Sequence, residues 1–95
     1  MSDAAYQEPV EELSIEIREM HRAIVSLEEE LEAIDRYNQR ADVCKDKKLK
    51  AILEHNRDDE KEHASMLLEW IRRADGRFAK ELKTYLFTKK PVTDS

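Results

Sequence analysis

Residues 13–34 read LSIEIREMHRAIVSLEEELEAI, and their apolar letters fall in alternating steps of four and three. Leu13, Ile17, Met20, Ile24, Leu27, Leu31 and Ile34 form this series, and Asn38 and Ala41 continue the count. A 3.5-residue period keeps one stripe of a helix facing a neighbour, so the segment reads as a heptad seam. Pro9, whose fixed φ suits a first helical position, predicts a start near residue 10, and the pattern runs to about 42. A helix of that length needs a partner to cover its stripe.

The rhythm lapses between Asp42 and Lys48, where Asp46 stands ready to cap a second helix over about 47–75. There the seam resumes as Leu49, Leu53, Asn56, Glu60, His63, Leu67, Trp70 and Ala74. Asp75-Gly76 breaks it, and Phe78, Leu82, Tyr85 and Leu86 predict a short helix over about 77–88 before Pro91. The expectation is an all-α fold: one domain over residues 1–95, built as a two-helix antiparallel hairpin plus a short C-terminal helix. One Gly and two Pro in 95 residues are too few for a strand-and-turn protein. With 40% hydrophobic and 41% charged residues, so small a chain lacks the apolar material for a self-sufficient core, and two hairpins are expected to dimerise into a four-helix bundle.

Composition also excludes. No apolar run exceeds three residues, and the start Met1-Ser2-Asp3-Ala4-Ala5-Tyr6 has neither a basic stretch nor an apolar signal core, so neither a membrane span nor a secretory leader is expected. A single cysteine, Cys44, suits a reducing compartment, which predicts a cytoplasmic protein. The net charge of −5 argues against a nucleic-acid partner, and the lysines at 45, 47, 48 and 50 read as a solvated turn.

The seam of the second helix carries Asn56, Glu60 and His63 where Leu or Ile belongs, and each costs burial energy unless something satisfies it. Glu60 and His63 lie three residues apart, on one helix face, where both can ligate one metal. Folding the hairpin about Lys45 brings Glu30 level with Glu60. Each chain then offers one Glu from one helix and Glu-x-x-His from the other, and two chains supply the four carboxylates and two histidines of a ferritin-like di-iron bundle. Such a hard oxygen and nitrogen set suits iron or manganese. Read alone, the motif is also what a solvated helix produces by chance, and a metal-free structural coiled coil stays open. Tyr37 is two turns from Glu30, a redox or second-layer partner or a packed aromatic. Glu29 and Glu32 could collect cations, His21 and His55 read as structural, and Trp70 reads as core.

The chain from Glu8 to Thr88 resembles the encapsulated ferritins. The likeness is carried by His21-Arg22-Ala23-Ile24-Val25-Ser26, Glu29-Glu30-Leu31-Glu32-Ala33, Tyr37 with Gln39-Arg40, Ala51-Ile52-Leu53, His55-Asn56-Arg57-Asp58, Glu60 through His63, Leu68-Glu69-Trp70 and Thr84-Tyr85-Leu86-Phe87-Thr88. The resemblance implies a ferroxidase cargo of encapsulin nanocompartments, with Glu30, Glu60 and His63 holding two iron ions per dimer across the interface. It implies an annular decamer and an encapsulin shell protein as partner. It also puts Glu29 and Glu32 where metal enters and Tyr37 near the centre. A related di-iron peroxidase would use the same ligands. Two features depart from the family pattern: Arg36 stands where a tryptophan is expected beside the tyrosine, and the 95 residues include no Gly-Ser-rich tail with an apolar targeting motif.

Overall fold

A computed structural model describes residues 6–93. The readings of the start at residues 1–5 and of Asp94 and Ser95 fall outside the described residues. The described chain is helical without strands: a 3₁₀ turn over Val10–Glu12, then α1 (Ile15–Val43), α2 (Lys47–Ala74) and α3 (Gly76–Tyr85). None of these helices is long and apolar enough to cross a membrane.

The first helix does not start at Pro9 as expected. Pro9 opens only the 3₁₀ turn, Leu13 is extended (φ −87°, ψ 142°), and the α-helix begins after Ser14. The Ser14 hydroxyl accepts a hydrogen bond from the Ile17 amide at 3.2 Å. A serine cap satisfies one orphan donor of the first turn, which proline cannot do. Cys44, Lys45 and Asp46 make the whole turn, and Asp46 Oδ1 accepts from the Leu49 amide at 3.0 Å. So short a link forces α1 and α2 to lie antiparallel as neighbours.

Asp75 both ends α2, its amide donating to the Ile71 carbonyl, and starts α3, its carboxylate accepting from the Phe78 amide at 2.9 Å. The break expected at Asp75-Gly76 is present, and Gly76 is also the first residue of α3, one position before the expected start. The expected end near 88 is also corrected: Leu86 is extended, and Phe87 takes a left-handed φ of 58°, a conformation that stops a helix.

Among the described residues only Ala23, Ala41, Ala64 and Ile71 are buried, and Ile71 is the one large side chain of the four. The seam divides into two columns on each helix. On α1, Met20, Leu27, Ile34 and Ala41 turn toward α2 and are half-buried or buried, whereas Ile17, Ile24 and Leu31 stay exposed. On α2, Leu53, Glu60 and Leu67 are half-buried, whereas Leu49, His63 and Trp70 are exposed. Trp70, expected in the core, is 43% exposed.

The two open columns lie on opposite flanks. Asn38, which continues the open column of α1, lines a cleft with Lys50, Glu54 and Arg57 of α2. Arg57 and His63 are six residues apart, which separates them by about 120° around the helix. The expected single stripe is thus two surfaces, neither covered by the described residues.

Candidate metal centre

Glu30 projects from the middle of α1, and Glu60 and His63 from the middle of α2. The turn about Lys45 sets their level, and Ala64, 9% exposed beside His63, lets the two helices close together there. His63 Nδ1 stands 3.4 Å from Glu60 Oε2 and 3.5 Å from Glu30 Oε2. One donor atom from each of the three lies within 4.8 Å of the other two. The side chains of both carboxylates are 24% exposed, and that of His63 is 47% exposed.

This arrangement is short of positive charge. Glu30 Oε2 is shut off from solvent and has no hydrogen-bond partner. Among the described residues, neither Glu30 nor Glu60 pairs with a lysine or arginine; the imidazole is the ion-pair partner of both. Other carboxylates of the chain are well served. Glu69 takes Arg72 Nε at 2.6 Å and Arg73 Nε at 2.6 Å, and the two guanidinium groups hold its carboxyl down at about 2. Arg57, 3.1 Å from Asp58, lowers that carboxyl as well. Two carboxylates three-quarters removed from water, with only an imidazole between them, invite a cation.

The spacing fits one. Metal–ligand bonds of about 2.1 Å put neighbouring donors roughly 3.0–3.4 Å apart, close to the separations from His63 Nδ1. The donors are carboxylate oxygens and an imidazole nitrogen, suited to iron, manganese or zinc. One chain supplies three candidate donors, and the exposed edge of His63 leaves the cluster open on its flank.

The other residues singled out from the sequence stand apart from the trio. Tyr37 is half-buried in the column of Glu30, two turns on, with the Arg40 guanidinium 5.6 Å from its ring centre. Glu29 is exposed. Glu32, two positions past Glu30 and so on the far side of α1, is 3.4 Å from Arg36 Nη2. His21 stacks on Tyr6 with ring centres 4.1 Å apart, and His55 pairs with Asp59 at 3.3 Å. The sequence reading missed Arg57, whose side chain is only 23% exposed although it sits one turn before Lys61 on a charged helix. Its place in the column of Ala64 and Ile71 was the available signal.

A profile of the family described as EncFtn-like matches residues 5–89. The chain is 56% identical over 92 residues to a Rhodospirillum rubrum protein named encapsulated ferritin-like protein, covering 97% of this chain and 66% of that one. It is 41% identical over 58 residues to the encapsulin nanocompartment cargo protein EncC of Myxococcus xanthus, covering 60% of this chain and 45% of the relative. The crystal structure of protein ne0167 from Nitrosomonas europaea superposes with a TM-score of 0.91 at 70% identity, covering 95% of this chain and 99% of that one.

Proposed function

The chain belongs to the EncFtn-like family, the encapsulated ferritins, and from that premise we propose that it is a ferroxidase, oxidising Fe(II) with O2 at a di-iron centre shared across a dimer interface. The observation that carries this reading is the cation-deficient trio of Glu30, Glu60 and His63 on an uncovered flank. A twofold copy doubles it to four carboxylates and two histidines, the complement of a ferritin-like di-iron site.

Iron is the substrate. Carboxylate charge binds Fe(III) more tightly than Fe(II), so these ligands favour loss of an electron. Two Fe(II) give up one electron each, and O2 takes the pair with two protons to leave as hydrogen peroxide. Glu30, Glu60 and His63 would hold the two ions, with Glu60 as the candidate to be shared between them. Glu29 and Glu32 attract incoming cations, and Tyr37 acts near the centre.

Two open flanks on opposite sides support assembly beyond the dimer. One interface pairs two copies, and a second can join the pairs into a closed ring, here an annular decamer. The names of the Rhodospirillum and Myxococcus relatives support an encapsulin shell protein as partner and a place inside its compartment. The hairpin is 20 Å thick and has no room for mineral, so iron storage belongs to the enclosing shell.

Comparing Fe(II) oxidation by O2 and by peroxide tests the chemistry. Rapid oxidation under air, with about one O2 consumed per two Fe(II), supports the ferroxidase. Oxidation confined to added peroxide would make the protein a peroxidase, and protein grown in iron-rich medium yet free of metal would make it a structural coiled coil.

A further inference from the structure

Asn56 is the polar seam residue of α2 that the metal trio does not use. It lies seven residues before His63 in the open column Leu49, Asn56, His63, Trp70, on the flank where the half-site is exposed. Its side chain is half-buried, one turn before Glu60, and its amide bonds to no described residue. Leu49 and Trp70, above and below it in the column, are 48% and 43% exposed apolar side chains. When a second copy covers this flank, as the shared-site reading requires, the amide loses its water and weakens association unless the second copy supplies a hydrogen-bond partner.

Leu49 and Trp70, the apolar members of this column, do not fix its register by themselves, because apolar contact is non-directional and tolerates a shift by one heptad. Such a shift moves the helices by about 10 Å. Donor atoms that must gather within a few ångströms of shared ions would then miss each other completely. One buried asparagine in an apolar seam removes this ambiguity at a cost in stability, since only one alignment satisfies it.

We propose that Asn56 selects the register in which two copies meet, by hydrogen bonding to a polar group of the second copy, and thereby aligns the two half-sites. Asn56 is a positioning residue in this account. The proposal rests on the shared-site reading and goes beyond it.

The test places a spin label at Lys48→Cys, an exposed site on α2, in a Cys44→Ser background, and measures interchain distances with Zn(II) as a diamagnetic metal. The parent and Asn56→Gln should each give one sharp shortest distance. Asn56→Leu should associate roughly tenfold more tightly without metal, the scale set by burying an amide. Its shortest distances should split into two or more populations, and Zn(II) should promote its assembly less. Asn56→Ala, which adds no bulk, is read alongside and should also split. A parent-like single distance in both Leu and Ala variants would overturn the proposal and leave the shared site standing. A parent that shows no interchain distance with Zn(II) would overturn the shared site and the proposal with it.

Discussion

Glu30 Oε2 is a carboxylate oxygen sealed from water without a hydrogen bond, and among the described residues its one ion-pair partner is the His63 imidazole. If iron is what satisfies it, Glu30→Ala, Glu60→Ala and His63→Ala should each lower the initial rate of Fe(II) oxidation by at least about tenfold, because every change deletes two ligands from a twofold site. Stopped-flow absorbance of Fe(III) under air measures this, and a near-parental rate in any of the three would remove that residue from the centre. Glu60 and His63 were legible from spacing alone, and Glu30 from folding the hairpin about its turn. Glu29 and Glu32 neighbour Glu30 in sequence yet do not join the trio, because successive helical residues point about 100° apart, and the part proposed for them is to draw in cations from outside it. The fork of Arg72 and Arg73 on Glu69 carries a separate expectation. The Glu69 carboxyl sits at about 2 in the folded chain against an ordinary 4.5. A depressed folded value means stabilisation that is present above the unfolded value and lost as pH falls through the folded one. Glu69→Gln should therefore melt below the parent at pH 7, by a small margin because the group is exposed, and the gap should narrow as pH drops from 5 to 2. Thermal melts followed by circular dichroism decide it, and a gap unchanged across that window would contradict the assignment.

At the scale of the element, the caps govern where the helices begin and end. Asp46 was readable because polar residues surround it where the heptad lapses. Ser14 was not, since Pro9 offers an equally good start signal and the apolar count runs on through Leu13. Asp75 serves two helices at once, so Asp75→Ala should cost about 1 kcal/mol and loosen α3. Hydrogen exchange at the Phe78 amide, which donates to that carboxylate, should accelerate while α1 stays protected; unchanged exchange would show that packing alone holds α3. Ile71, 1% exposed, is the largest contributor to a thin core, and Ile71→Ala should cost about 2–5 kcal/mol. Chemical denaturation measures that loss.

For the molecule as a whole, the radius of gyration is 16.9 Å, against about 12 Å for a compact domain of this length. A hairpin that extended hides little of its own surface, which is why Ile17, Ile24, Leu31 and Trp70 remain open. Heptad periodicity made the amphipathic stripes legible in the sequence. It could not say which column of each stripe the chain would cover itself, because that depends on how α1 and α2 rotate against each other. The alanines at 23, 41 and 64 are buried between them, where small side chains suit close approach of two helices. On the shared-site reading, association depends on metal. Fe(II) that binds the pair and not the single chain favours the pair by about 2.7 kcal/mol at a hundredfold excess over Kd. An anaerobic Fe(II) titration followed by native mass analysis is the most direct measurement of the shared centre. Metal-free protein should hold more monomer, added Fe(II) should drive it to dimers and larger rings, and binding should saturate at two irons per dimer. A chain that stays monomeric while binding two irons and oxidising them in air would contradict the account.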